Sequence, residues 1–453
     1  MPEIKQDIRT ATFVIAANDS LHKNMADYVC DWVADDVEIN AALNALPAQG
    51  GRVILLEGQY VLASPIIIPD HDVTLEGQGW GTFINGNNLL TGNHAIQISS
   101  WSNCHIKNLS IRTQVGGGKV CHCIYAEDGT NDLLIENVYF QDSDSDAVHI
   151  EGTSMNRIKI IHCFIEGADD HGIHITPDAL DQSDSFHILN NHIQSCGIDG
   201  LHFTTCAGHY HHIIEGNTIQ SCAGLGIVAD EFLMESEIIN NYIRANTVSG
   251  IVLVAEDDNN LIENNYCNSN GVYGIAIAAA TCSENRVKNN KLIGNTTGAI
   301  LDNGTTTQLP WMYFNVPNPS TNIGTHPAEQ LTDGLEVTSR IHAYLPLEFQ
   351  ELVTATIDLV PGGSGNMRRT VTTNWGEMGS GEVYNSDGGA IAAGEVAVTL
   401  NHTEAIDILA AFVGVGALGP GDTIGVQFTR NGNHANDTVG ANCWLLGLRI
   451  RYV

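Results

Sequence analysis

The sequence predicts an all-β chain in two parts, a parallel β-helix closed at its start by a short capping helix and then an antiparallel β-sandwich. Three observations carry this. The segments HAIQI, HCIYA, DAVHI, HGIHI, DGLHF, LGIVA, SGIVL and YGIAI share one template, a small residue followed by alternating apolar positions. Their small residues are Ala95, Cys123, Ala147, Gly172, Gly200, Gly226, Gly250 and Gly274, spaced by 28, 24, 25, 28, 26, 24 and 24. A second series keeps pace with the first: Asn108, Asn137, His162, Asn191, Asn217, Asn241, Asn265 and Asn290. These read as turn residues whose amides hydrogen-bond along a stack. Past Leu301 the repeat gives way to strict alternation. A period near two dozen residues, with β-branched side chains and little helix-forming sequence, fits coils that bury their apolar faces only by stacking.

The elements follow in order. Residues 1–50 are expected to form an amino-terminal segment and the capping helix. MPEIKQDIRT has no apolar core of a Sec-type export signal, and no run approaches the ~18 apolar residues of a membrane helix. In DDVEINAALNALP, Asp35 and Glu38 have capping-box spacing, Ile39, Leu43 and Leu46 share a helical stripe, and Pro47 stops it. The next stretch, from Gly50, reads as strand, turn, strand, turn, strand, and the coils are expected over 51–305. NGTTTQLPWMYFNVPNPSTNIGTHPAEQ is rich in Pro, Thr and Asn, and 306–335 reads as a linker. In 336–453, Val353, Ala355, Ile357 and Leu359 alternate with Thr354, Thr356 and Asp358. The same alternation recurs at Ile424, Val426 and Phe428, and at Leu446, Leu448, Ile450 and Tyr452, as in an antiparallel β-sandwich. GVGALG, Gly414 to Gly419, matches G-x-G-x-x-G formally, but Pro420 and a strand follow it, which excludes a nucleotide loop.

Nineteen Lys+Arg against 52 Asp+Glu give a formal charge of −33. That charge excludes nucleic acid and anionic membrane surfaces as partners and favours a neutral or cation-screened substrate. Eleven cysteines, an odd and scattered set, read mostly as buried thiols. Cys121 and Cys123 flank His122, a C-x-C that without a second pair is a weak metal signal.

Stacked coils put equivalent outward residues ~4.8 Å apart, so a site is read down columns. Two places after each small residue the column runs Gln97, Tyr125, His149, His174, His202, then Val228, Val252, Ala276. Two further on it runs Ser99, Glu127, Glu151, Thr176, Thr204, Asp230. Immediately before the small residue come His94, His122, Asp146, His171, Asp199, then Leu225, Ser249, Tyr273. Polar chemistry is confined to the first half. The aliphatic half must be covered, since an exposed apolar strip invites association.

Glycoside hydrolysis is the first expectation. Asp146 and Asp199, two rungs and thus ~9.6 Å apart, can converge into the ~6.5–9.5 Å range of inverting glycosidases. His171 lies between them, and Asp170, with Asp169 beside it, offers a further acid or base. Asp146, Asp170, His171 and Asp199 are therefore the candidate catalytic residues. Tyr125, Glu127, His149, Glu151, His174, His202 and Asp230 are candidates for substrate binding. The alternative is elimination or epimerisation of a uronic acid, with Tyr125 and His149 or His174 moving the proton. Because the columns lack Lys and Arg, the substrate carboxylate would then need a divalent metal such as Ca²⁺ on Glu127, Glu151, Asp146 or Asp170. His149, His174 and His202 on adjacent rungs are candidate Zn²⁺ ligands, with His209, His211 and His212 in the next turn. A non-enzymatic adhesin or virion structural protein is the third possibility.

ADDVEINAALNALPAQGGRVILLEGQYVLASPIIIP followed by VTLEGQGWGTFI resembles the opening of pectate-lyase-like right-handed β-helix proteins, especially bacteriophage tailspikes and polysaccharide depolymerases. The resemblance covers about residues 30–305. It implies a right-handed helix, a polysaccharide substrate, a homotrimer, and an extracellular or virion-associated place of action. SDSDAVHI, DDHGIHI and IDGLHF resemble the acid-bearing coils of polygalacturonase-like hydrolases, although that family's G-H-G and R-I-K motifs are absent. The carboxy-terminal part is similar to tailspike modules that trimerise or bind sugar.

Overall fold

The computed structural model describes residues 11–114, 120–178, 182–204, 207–317, 319–347, 349–377, 387–413 and 418–452. The chain divides into two compact units, Met1–Gln308 and Leu309–Val453. The first is a parallel β-solenoid. Ten strands, from Ile66–Ile68 through Ile124–Glu127, Val148–Gly152, Ile173–Pro177 and Leu201–Phe203 to Gly298–Asp302, stack into one parallel sheet. The other sides are a twenty-stranded parallel sheet and a short one of four strands. Along the ten-stranded sheet every second residue turns inward, and Ile124, Ile150, Ile173, Ile175, Leu201 and Phe203 are fully buried. The small residue sits where the coil bends towards its own core. A Cβ on Gly172 would lie 2.6 Å from Ile193 Cγ2 and 2.6 Å from the Gly200 carbonyl oxygen.

The asparagine series splits into two adjacent columns. Asn108, Asn137 and His162 occupy left-handed turn positions, φ +57°, +52° and +54°, which continue as Asn190, Gly216, Asn240, Asn264 and Asn289. The buried ladder lies one residue later, because that turn residue must face outward. There Asn191, Asn217, Asn241 and Asn265 each pass an amide hydrogen bond of 3.0 Å to the next, and Asn290 ends the run. Each Oδ1 also accepts the backbone N–H of the preceding rung. Two further ladders escaped the sequence reading: Asn246–Asn270–Asn295 and the run His212–Ser236–Asn260–Asn285.

The solenoid begins before the helix. Thr12–Ala16 pairs in parallel with Tyr28–Val29 and with Gly51–Leu55, so the expected boundary at residue 51 is late. Strands Gly51–Leu55, Gly58–Val61 and Ile66–Ile68 match the predicted strand–turn series. The helix spans Asp36–Asn44 and buries Ile39, Ala42 and Leu43, with Leu46 half-buried beyond its end. No capping box forms. Asp35 instead accepts N–H bonds from Asp31, Trp32 and Val61, linking helix entry to the first coil. The cap works through Asn40, whose Oδ1 accepts the Ile67 N–H and whose Nδ2 donates to the Pro65 carbonyl, both at 2.9 Å. One side chain thus satisfies the open edge of the ten-stranded sheet.

The second unit packs a sheet built from Trp311–Asn315, Thr321–Ile323, His326–Leu331, Leu352–Pro361, Glu404–Asp407 and Cys443–Tyr452. A second sheet comprises Glu336–Tyr344, Gly365–Glu377, Asp387–Val398 and Asp422–Asn431. Both are antiparallel and share a core around Ile357, Val371, Trp375, Phe428 and Leu448. The expected linker is therefore mostly sandwich: three of its segments are strands, and Ala328 and Leu331 are buried. Its Pro/Thr/Asn content hid that alternation. A bulge opposite Asp358 and Leu359 also turns Leu446 away and buries Leu445 in its place. Gly414 and the three residues after it lie outside the described residues; a strand, not a helix, begins at Asp422.

Candidate functional site

The outward columns are in the predicted register. Gln97, Tyr125, His149, His174, His202, Val228, Val252 and Ala276 are successive strand partners, as are Ser99, Glu127, Glu151 and Thr176. The residues before the small positions also stack, through backbone bonds from Ala95 to His122, Ala147 to His171 and Gly172 to Asp199. Their side chains are buried, not displayed: Asp146 is 2% exposed, Asp199 5% and His171 7%. At this corner the chain bends, and each side chain folds along the stack to accept the N–H of its successor. His94 accepts from His122, His122 from Asp146, Asp146 from His171, His171 from Asp199, and Asp199 from Leu225, at 2.6–3.3 Å.

Asp146 is the hub of the first cluster. Its Oδ2 accepts from His149 Nδ1 at 2.6 Å and from His174 Nδ1 at 3.0 Å. Burial works to raise this carboxyl, but those two bonds outweigh it and hold Asp146 far below the usual range. His122 Nδ1, 3.5 Å from the same oxygen, accepts the Asp146 N–H and is no ion-pair partner. Burial and the nearby His149 bring His122 down to about 3. Asp199 repeats the pattern, with Oδ2 lying 3.1 Å from His202 Nδ1 and 3.4 Å from His171 Nδ1. Against burial, His171 and His202 also lower its titration. Burial opposes the charge on His149 and His202, yet carboxylates on both nitrogens raise each of them: Asp146 and Glu151 for His149, Asp199 and Asp230 for His202. His174 ends below its ordinary value, because burial outweighs Asp146.

Solvent reaches this cluster at Glu151, whose side chain is 43% exposed. Tyr125 Oη donates to its Oε1 and His149 Nε2 to its Oε2, the latter at 3.0 Å. Despite partial burial these donors lower the carboxyl, whereas burial and Glu151 keep the Tyr125 phenol protonated. Glu127 is the strand partner of Glu151. The two line an open cavity of about 440 Å³ with Asp128, Thr176 and Asp178. Beside it runs a stack of flat rings, with centroids 4.2 Å apart for His94 and Tyr125 and 4.3 Å for His122 and His149.

The remaining candidates divide. Asp170, half-buried, accepts from Ser145 Oγ at 2.8 Å, and Asp169 is exposed. Asp230 joins the site through His202 Nε2 at 3.1 Å. The proposed trio of His149, His174 and His202 is regrouped. Ligand-type atoms of His171, His174 and His202 gather within 4.8 Å of one another, as do those of His122, Asp146 and His149. His149 is held on both nitrogens by carboxylates and leaves the former set. His209 and His212 lie buried around Ser183 in another part of the coil, and His211 is exposed between Asp184 and Glu235. Cys121 and Cys123 turn into the core, where Cys121 Sγ donates to the Leu90 carbonyl and Cys123 meets Thr113 Oγ1. All ten described cysteines are buried free thiols. The sequence reading missed Asp128 and Asp178, which lie in turns beyond the strand template. It also missed the inward turn of Asp146 and Asp199, for which alternation gives no signal at a bend.

A family model described as periplasmic copper-binding protein (NosD) matches residues 178–328. No curated protein matches the chain. Among solved structures the chain is similar to ORF18 of Geobacillus virus E2, at 14% identity and TM-score 0.49, covering 82% of this chain and 74% of that one. It is also similar to the enzymatically active domain of bacteriophage CBA120 tailspike protein 2, at 12% identity and TM-score 0.43, covering 92% and 74%. The A-module of an Azotobacter vinelandii mannuronan C-5 epimerase aligns at 18% identity and TM-score 0.41, over 61% and 96%. No helix among the described residues is long and apolar enough to cross a membrane.

Proposed function

We propose that the chain hydrolyses a neutral glycan on the outer face of its early coils, with Glu127 and Glu151 as the reacting carboxylates. One observation carries this reading: Glu151, kept ionised by Tyr125 and His149, stands in strand register with Glu127 over an open polar cavity. Neighbouring strands are ~4.8 Å apart, close to the ~5–5.5 Å carboxyl separation of retaining glycosidases. Glu151 would attack the anomeric carbon. Glu127 would give its proton to the departing glycosidic oxygen, then take one from the water that releases the sugar. The ring stack of His94 and Tyr125 offers a flat surface for a sugar face. Asp146 and Asp199, buried and ionised, are assigned an orienting role on the imidazoles in place of the acid–base role.

The acidic lining disfavours uronic acid polymers unless a cation screens them. The resemblance to tailspikes makes a homotrimer, acting outside the cell or on a virion, part of the proposal, and light scattering checks the trimer. The chemistry is tested by incubating the protein with a panel of neutral polysaccharides and following reducing ends, product anomers by proton NMR, and the ultraviolet absorbance of unsaturated uronates. The reading expects reducing ends with retained configuration and no unsaturation. Unsaturated products, or initial products of inverted configuration, would overturn it.

A further inference from the structure

Five imidazoles lie close together on the coils between His122 and His202, and they are not equally satisfied. His122 and His149 are engaged with Asp146, the Asp146 backbone and Glu151. His171, His174 and His202 are different. Among the described residues, His174 Nε2 and His202 Nδ1 are buried and make no hydrogen bond, the 3.1 Å approach of Asp199 Oδ2 to His202 Nδ1 being an ion-pair contact outside hydrogen-bond geometry. A buried nitrogen that makes no hydrogen bond is costly, and two of them in one three-histidine cluster call for a ligand.

We infer that His171, His174 and His202, joined by Asp199, form a binding site for a divalent transition metal ion. The donors come from two successive coils, His171 and His174 from one and Asp199 and His202 from the next, and the ligand atoms of the three histidines lie within 4.8 Å of one another. Tetrahedral zinc with bonds of about 2.0–2.1 Å needs its nitrogens about 3.3 Å apart, so the three rings would draw in on the ion. Each orphaned ring is already steered from its other nitrogen: His174 by Asp146 at 3.0 Å and His202 by Asp230 at 3.1 Å. This is the carboxylate–imidazole arrangement that fixes a ligand's tautomer and leaves its lone pair facing the metal. Asp199 Oδ2, beside His202 Nδ1 and His171 Nδ1, supplies an anionic fourth donor. Imidazole-rich donors with one carboxylate select Zn²⁺, Co²⁺, Ni²⁺ or Cu²⁺ over Ca²⁺ or Mg²⁺. The site lies on the rungs next to the Glu127–Glu151 pair and does not depend on that pair's chemistry.

The test uses the full, tag-free chain, stripped with chelator and titrated with Zn²⁺ by calorimetry and with Cu²⁺ by electron paramagnetic resonance. One equivalent should bind, and the Cu²⁺ spectrum should show nitrogen superhyperfine structure. His174→Ala and His202→Ala should each weaken Zn²⁺ at least tenfold, whereas His211→Ala, at an exposed histidine outside the cluster, should leave it unchanged. Glu151→Gln should abolish turnover and keep the metal, which separates this inference from the glycan reading. No stoichiometric binding, an oxygen-only Cu²⁺ spectrum, or full affinity in the His174→Ala/His202→Ala double variant would overturn it. The spectrum of the unmutated protein decides even if a variant fails to fold.

Discussion

The coils up to Gly200 and those beyond it stack in one register but fill the same positions with opposite chemistry. The outward column is Tyr125, His149, His174 and His202 in the first stretch, and Val228, Val252, Ala276 and Leu301 in the second. Val228 and Ala276 are almost wholly buried. The corner column changes likewise, from His94, His122, Asp146, His171 and Asp199 to Leu225, Ser249 and Tyr273. The backbone asks only for an acceptor at each inward N–H, and Ser249 or the asparagines provide one without charge. Placing aspartate there adds desolvation and leaves a carboxylate free to aim imidazoles. Late coils spend their polar side chains on stability, and early coils use theirs to position groups.

The predictions press on this contrast. The largest effect is expected from Glu151→Gln, a loss of roughly a thousandfold or more in kcat/KM, about 4 kcal/mol, with an unchanged melting temperature. Val252→Ser, two rungs beyond His202 in the same outward column, should change the rate less than about twofold in the same assay. Next comes Asn241→Ala, which orphans the Asn217 amide and the Ile214 carbonyl. It should cost roughly 3 kcal/mol of stability, read by chemical denaturation, and leave the turnover of the folded fraction intact. Third, Asp146→Asn keeps an acceptor for the His171 N–H but removes the charge on His149 and His174. Turnover should fall roughly tenfold to a hundredfold. The alkaline limb of the pH profile should move to lower pH, since Asp146, together with Glu151, raises His149 against its burial.

The smallest effect concerns a single ladder. His212, Ser236, Asn260 and Asn285 occupy one column, and only His212 titrates. Burial lowers His212 well below its ordinary value, and His209 beside it falls to about 4. The unfolded chain therefore takes up protons first as pH drops below ~6.5, and stability is lost on the acid side. His212→Asn should shrink the difference in melting temperature between pH 7 and pH 5 by a few degrees.

Much of this architecture was legible because stacking leaves hard marks. Only a small residue fits at Gly172 or Gly200, and inward isoleucines must alternate, so the register of His149, His174 and His202 could be counted. What alternation does not encode was misplaced. The bend before Ala147 and Gly172 turns Asp146 and His171 inward. The left-handed turn at His162 shifts the buried ladder by one, and turn acids such as Asp128 and Asp178 belong to no repeat. Asp35 resembles a capping residue in sequence, but the N–H groups of the preceding turn, Asp31 and Trp32, and of Val61 on the first coil capture its carboxylate.

A crystal of the Glu151→Gln variant soaked with fragments of a cleaved polysaccharide tests the division of labour most directly. The sugar should lie across Ile124–Glu127 and Val148–Gly152, with its scissile linkage between positions 127 and 151. A chain bound instead over Val228 to Ala276, or on the sandwich alone, would contradict the account.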